Sequence, residues 1–276
     1  MKVEVYGGNH SPWVQAVLLA LHEQGIEHNL RQVPPFEALK QWGVLMPAVS
    51  IDGGPWQVES SKILVKLGLQ PVCEDDLKAV QAAWQGVLHR VDSPLRFFSA
   101  FARAGDKSTS LLKRSARNFF RSFIPLYMFL LINFVKLKIK PVEPKNFAEQ
   151  YLFWERGLAA STGAFLDGNS PGSRDFLLFG VVQCHSSIPT PPLEALQCDP
   201  RLTEMRQWVA SMHERFSHYP HLYSGSKFEP YYPRPAAADP LQRGVFYLGL
   251  LTMFVLFPVT VPLVFALMRK VPRAST

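Results

Sequence analysis

Cysteine is scarce in this chain of 276 residues: only Cys73, Cys184 and Cys198 occur, and no two form a CxxC pair. That excludes a disulfide-stapled scaffold and leaves zinc ribbons and dithiol redox chemistry unsupported. Sparse thiols fit a reducing compartment. The eight histidines show neither HxxxH nor HExxH spacing, so no metal site is expected. No P-loop, GxGxxG motif, internal repeat or low-complexity tract is present. Charged residues are only 18% against 47% hydrophobic, which excludes a wholly disordered chain. The first residues, Met1-Lys2-Val3-Glu4-Val5-Tyr6, lack the apolar core of a signal peptide, so the N-terminal domain is expected to face the cytosol.

The length suits one large or two small domains with a sizeable core. Lys and Arg number 29 against 22 Asp and Glu, giving a net charge of +7. The mean hydropathy of +0.02 is high for a soluble enzyme. A basic balance fits nucleic acid or an anionic membrane surface. The apolar runs beside the basic residues favour the membrane. Aromatics in the basic stretch cluster with long aliphatic runs rather than interleaving as stacking platforms, so no nucleic-acid partner is expected.

Four regions differ in texture. Residues 1 to about 70 alternate strand and helix signals. Val3, Val5 and Tyr6 suggest a strand, and Ser11-Pro12 a helix start with Ser at the N-cap. Val14, Val17, Leu18 and Leu21 recur with helical spacing. A second strand over His28 to Val33 and a helix over Phe36 to Trp42 follow. Ala48 to Ile51 and Trp56 to Val58 read as strands about a Gly-Gly-Pro turn, and Ser60 to Leu67 as a helix. The order is βαβαββα. Residues 75–218 read as helices, best over Asp76 to Arg103, Phe147 to Leu166, Asp175 to His185 and Arg201 to Phe216. Residues 219–243, rich in Pro and Tyr, read as an extended linker. Residues 245–268 are an uncharged run.

The βαβαββα order is thioredoxin-like, and a helical region follows it. In that plan, and in three motifs, the sequence resembles the glutathione transferase superfamily. Ser11-Pro12-Trp13-Val14 is similar to the family's Ser-Pro-aromatic motif at the first helix. Val44-Leu45-Met46-Pro47-Ala48-Val49 is similar to its segment with a cis-proline before the third strand. Glu59-Ser60-Ser61-Lys62-Ile63-Leu64-Val65-Lys66-Leu67 is similar to its Glu-Ser-x-x-Ile helix start. The resemblance implies an α/β plus all-α fold and glutathione as cosubstrate. Ser11 would be the catalytic hydroxyl, Met46 and Pro47 would bind the cysteinyl part, and Glu59 and Ser60 the γ-glutamyl end. A second, lipophilic electrophilic substrate and a homodimer are implied as well. A thiol has a pKa of roughly 8.5, and a hydroxyl at a helix N-terminus favours its thiolate. Plainer readings stand beside these. Ser11 can be an ordinary N-cap, Pro47 a trans proline opening a strand, and Glu59-Ser60 a capping pair. Phe97, Phe101 and Trp84 can line a substrate pocket or simply be core, and His10 can be a second donor or merely solvated. Cys184 reads as structural. Asp175 stands where the family has the third residue after a Ser or Thr cap, but Gly172 occupies that cap position, which is expected to weaken the capping box. A non-catalytic membrane-bound interaction module on the same fold is the alternative function.

Two stretches point to lipid. Lys113, Arg117 and Arg121 fall on one helical face, and Leu126 to Val135 is almost wholly apolar. This helix would lie on or dip into a membrane, or belong to the transferase core. The run from Val245 to Met268 has 24 residues. As one helix it would measure about 36 Å, enough for a hydrocarbon core of about 30 Å. Arg269, Lys270 and Arg273 follow it. A tail anchor with the domain in the cytosol is the expected arrangement. A hairpin turned at Pro258 and Pro262, or a buried helix, are the alternatives. Membrane-anchored transferase relatives such as metaxins offer a fold-level analogy.

Overall fold

A computed structural model describes residues 1–31, 33–43, 45–105, 108–139, 147–188, 190–223 and 237–268. Val44, Lys140, most of the Pro/Tyr-rich segment and the basic residues after 268 lie outside the described residues. The N-terminal part is built from β1 (Val3–Tyr6), α1 (Pro12–Glu23), β2 (His28–Arg31), α2 (Phe36–Trp42), β3 (Ala48–Ile51) and α3 (Ser60–Lys66). The sheet order is β2-β1-β3. β1 runs parallel to β2, with Val5 opposite Leu30, and antiparallel to β3, with Val5 opposite Val49. This mixed sheet is the thioredoxin-like arrangement that the element order predicts. The expected fourth strand is reduced to one bridge, Gln57 to Val49. The Gly53-Gly54-Pro55 turn accounts for this, since Pro55 has no N–H to give a ladder.

The helical part comprises α4 (Glu74–Gln85), a 3-10 segment (Gly86–Val91), α5 (Pro94–Ala104), α6 (Leu111–Arg121) and α7 (Phe123–Ile139). After a second 3-10 segment (Phe147–Tyr151) come α8 (Leu152–Ala159), α9 (Ser173–His185), α10 (Pro191–Cys198) and α11 (Thr203–Phe216). The single helix expected from Asp76 to Arg103 is therefore three pieces. Pro94 removes a donor and restricts Ser93, whose hydroxyl instead accepts from the Arg96 amide at 3.5 Å to start α5. The helix expected to reach Leu166 stops at Ala159. The Leu166 and Asp167 amides turn instead toward the Asp175 carboxylate, at 2.8 and 3.1 Å.

One hydrophobic core joins the sheet to the helices. Val5, Val14, Leu18 and Leu21 pack in the same cluster as Phe176, Phe179, Trp208 and Met212. The central contact is α1 against α9. It is close because Gly180 lies on the Pro12 carbonyl, where a Cβ would collide. α9 is buried nearly throughout, which explains its uninterrupted apolar sequence.

The start of α9 answers the missing cap. Gly172 has no side chain to accept a hydrogen bond, but its own amide donates to Asp175 at 3.0 Å. The carboxylate of Asp167 fills the space a Cβ at Gly172 would need. Asp167 also accepts from the Arg174 amide at 3.3 Å and is held by the Arg174 guanidinium at 2.6 Å. A carboxylate from the preceding loop thus does the work of the absent Ser or Thr. Asp175 further accepts from the Trp208 indole at 2.7 Å.

The apolar C-terminal run is not one helix. α12 (Pro240–Val255) and α13 (Phe257–Met268) meet at a bend of 82°, measured to Leu263. The 16 residues of α12 reach about 24 Å, short of a bilayer core. Asp239 caps α12 by accepting from the Gln242 amide at 2.9 Å. One face of α12 packs on α6: Phe246, Gly249 and Met253 are buried or close-packed there, and Gln242 accepts from Asn118 at 2.7 Å. Gly249 permits this approach, since a Cβ would meet the Phe119 carbonyl and the Ser122 hydroxyl. The opposite face, with Tyr247, Leu248, Leu251, Phe254 and Val255, is exposed. Among the described residues, Leu111–Lys138 is the one unbroken helical stretch long and apolar enough, at 28 residues, to cross a membrane.

Replacing a helix-capping glycine by serine ordinarily stabilises or is neutral. Here Gly172→Ser is expected to lower stability by about 1–3 kcal/mol, because Asp167 already occupies the site. A urea-unfolding midpoint that rises in this variant would show that Asp167 is not the cap.

Candidate functional site

The register of the sheet brings three sequence motifs to one end. Tyr6, the last residue of β1, pairs with Ala48, the first of β3. The loop leaving β1 and the Met46–Pro47 segment entering β3 are therefore neighbours, and a Cβ at Gly7 would lie 3.3 Å from the Met46 Cβ. The chain then descends β3, turns, and returns with Gln57 opposite Val49. Two residues further on, Glu59 and Ser60 arrive at the same end as Pro47. Ser11, Met46, Pro47, Glu59 and Ser60 thus all lie at the end of the sheet where α1 begins.

Each has a distinct local state. Ser11 is the N-cap residue of α1, in extended conformation, yet its side chain makes no capping hydrogen bond. The hydroxyl is half-buried and left available. The Met46–Pro47 peptide bond is cis, and Pro47 is buried. Glu59 has φ +84°, a left-handed conformation unusual for a residue with a Cβ. Such outliers cluster at binding sites, where the surroundings hold them. Its carboxylate is exposed, and Ser60 beside it is buried.

The helices wall this end with a second group of side chains. His10, next to Ser11, meets the Phe101 ring edge-on at 6.2 Å and the Tyr223 ring at 6.5 Å. Burial, with the Arg90 and Arg121 charges adding to it, lowers the pKa of His10 to about 4, so the imidazole is neutral at pH 7. That favours an uncharged donor or acceptor over an imidazolium. Arg90 is 1% exposed. Its guanidinium donates to the Cys184 sulfur at 2.9 Å and to the Ser187 hydroxyl at 2.6 Å, and lies 5.7 Å from the centre of the Phe101 ring. Cys184 is buried and, as expected, structural: burial pushes its thiol up, partly offset by Arg90. Tyr223 is held in place through its amide, which donates to Gln15 in α1 at 2.6 Å. Asn9 likewise donates to the His221 carbonyl at 3.2 Å. The start of the segment expected to be an extended linker is bonded to α1 and to the loop before it.

Of the aromatics expected near a pocket, Phe101 adjoins His10, while Phe97 is fully buried and belongs to the core. Trp84 is partly buried and packs against both the core that joins sheet and helices and a second apolar cluster that includes Leu88, Phe97 and Phe246. Arg90, Ser187 and Tyr223 were not legible as site residues. One signal for Arg90 exists: Val80, Ala83 and Val87 recur at spacings that continue to position 90, placing a charge on an apolar helical face. No group of three or more potential metal ligands occurs among the described residues.

No protein-family model and no curated protein matches the chain. The solved structures that align with it include glutathione S-transferases. That of Ascaris lumbricoides is 15% identical over 80% of this chain and 94% of its own, with a TM-score of 0.41. A Methylobacterium radiotolerans enzyme in complex with glutathione sulfonate is 17% identical over 83% and 98%, at 0.40. Glutathione transferase F7 from Populus trichocarpa is 19% identical over 80% and 95%, at 0.38. Likenesses this loose, at 15–19% identity and TM-scores of 0.38–0.41, leave the function to be argued from the chain's own residues.

Buried histidines give the protein a pH dependence. His185 is fully buried, its Nε2 faces the Ala83 carbonyl at 3.2 Å, and burial holds its pKa at about 3. An unfolded histidine titrates near 6.5. Below that pH the unfolded chain takes up a proton that the folded chain refuses. The stability contributed is therefore present above pH 6.5 and lost as pH falls toward 3, by up to about 1.4 kcal/mol per unit. Unfolding midpoints at pH 7 and 5 should differ more in the native protein than in His185→Gln. Equal differences would show that His185 does not drive the acid loss.

Proposed function

We propose that this chain is a membrane-attached glutathione transferase-like protein that joins glutathione to a lipophilic electrophile. The observation that carries the reading is the Ser11 hydroxyl, which sits at the N-cap of α1 and makes no capping bond there. The neighbouring cis Met46–Pro47 bond and the left-handed Glu59 support it. In this reading the backbone of Met46 pairs with the cysteinyl part of glutathione. Glu59 receives the γ-glutamyl amine, and the Ser60 hydroxyl and amide receive its carboxylate. Ser11 donates to the sulfur, and the α1 dipole adds to the preference for thiolate. The thiol proton leaves to solvent. The sulfur lone pair then forms the bond to the electrophilic carbon, whose leaving group departs with its electron pair. Reduction of the electrophile instead would consume a second glutathione and yield the disulfide.

Calorimetry on the full-length protein in neutral detergent tests the site. Glutathione is expected to bind with a micromolar to millimolar dissociation constant, and Glu59→Ala with Ser60→Ala to abolish this. Ser11→Ala should retain binding but raise the bound thiol pKa by about 1–2 units, the worth of one charge-assisted hydrogen bond. No binding at about 10 mM glutathione by folded protein would favour a non-catalytic membrane-bound interaction module.

Membrane attachment draws support from the exposed apolar face of α12 and α13. Both faces of α12 are largely apolar but only the one toward α6 is buried, as in a helix seated between a protein body and lipid. The 82° bend favours an element that enters one leaflet over a straight tail anchor. In this arrangement the transferase part stays on the cytosolic side, and the bilayer concentrates apolar substrates beside it. Replacing Leu248, Leu251 and Phe254 together by Gln should lower partition onto phosphatidylcholine vesicles by at least about a hundredfold. Unchanged flotation with the vesicles would remove these helices as the attachment.

A further inference from the structure

Arg90 is a charge without a counter-charge. Its guanidinium is 1% exposed, and its partners are all neutral: the Cys184 sulfur, the Ser187 hydroxyl and the face of Phe101. Its Nε has no partner at all. Among the described residues no carboxylate pairs with it; the nearby acid in sequence, Asp92, is bonded to Lys136 and His89. Isolating a guanidinium from water without an anion is expensive, and a structural role alone would be met at lower cost by an apolar side chain of the same volume. A second guanidinium, Arg121, donates to the Phe101 carbonyl at 2.8 Å. Two cations therefore stand beside the same aromatic residue.

The position of that residue says what the charge is for. Arg90 lies under Phe101, and Phe101 touches His10, the residue before Ser11. His10 and Tyr223, both half-buried, are the members of the cluster that reach the surface. Tyr223 is tethered over the α1 mouth by Gln15. Phe97 and Phe129 extend the aromatic wall behind Phe101, with ring centres 5.0 and 5.5 Å apart in sequence along it.

We infer that the helical wall at the mouth of α1 is a subsite for an organic anion, in which Arg90 forks a carboxylate whose aromatic body lies against Phe101, His10 and Tyr223. Resting on the glutathione reading, this makes the second substrate an acidic aromatic electrophile rather than a neutral one. Planar bidentate pairing is what a guanidinium offers and a lysine does not. Partial burial of the ligand would replace the neutral partners by the missing opposite charge.

The test compares 4-phenylbutyrate with its uncharged amide on the full-length protein in neutral detergent, with glutathione omitted. The acid is expected to bind at least about tenfold more tightly than the amide. Arg90→Met should erase that difference, and Arg90→Lys should restore only part of it. Equal binding of acid and amide by the native protein overturns the inference without recourse to any variant. So does an advantage of the acid that survives Arg90→Met, which would assign the anion to another cation. Glutathione's own carboxylates are a separate source of negative charge, so its affinity is measured in parallel. It should change less than about threefold in Arg90→Met. Failure of glutathione to bind while the acid still does would defeat the transferase reading and leave the anion subsite standing.

Discussion

The contact on which the rest depends is that of α9 with α1. Gly180 allows the Pro12 carbonyl to rest directly on α9, and the core runs without interruption from the sheet through α1 into the helices. α1 carries Ser11 at its start, so the same contact fixes the candidate hydroxyl against the helical wall. A side chain at position 180 would lift α1 and move Ser11 relative to His10, Arg90 and Tyr223 together. Interiors are close-packed and transmit such displacements.

α9 can serve as this fixed axis because its beginning is anchored by charge and hydrogen bonds. Asp175 gathers amides from Leu166, Asp167 and Gly172 and the indole of Trp208, so one carboxylate ties the preceding loop and α11 to the helix. Asp167 completes the cap from the loop side. A carboxylate that accepts several N–H bonds tolerates burial that would otherwise be costly. Arg90 is the contrast: equally buried, it has only neutral partners. One buried charge holds the fold, and the other is left for something outside it.

The C-terminal helices join two roles that the sequence makes look exclusive. The apolar run reads as a lipid segment because it has no charge, yet α12 uses one side of that run to pack on α6. Hydropathy counts residues and does not distinguish faces that meet protein from faces that do not. The break between α12 and α13 falls at Leu256, just before Pro258, where a proline cannot continue the hydrogen-bond ladder.

Local rules were enough for the elements that local chemistry dictates. β1, α1, α2, β3 and α3 lie where strand residues, the Ser-Pro start and helical spacing place them, because each signal lies within a few residues of its effect. The motif residues Ser11, Met46, Pro47, Glu59 and Ser60 were likewise visible as sequence. Only the tertiary structure decided the rest. It reduced the fourth strand to a bridge, cut one long helix into three pieces and replaced the missing cap at Gly172 with Asp167. It also folded Tyr223 back on Gln15 and buried Arg90 beside Cys184, 94 residues away in the chain. The physical reason is common to all of these. They depend on which distant group reaches a given amide, ring or charge, and that is set by packing, not by spacing along the chain.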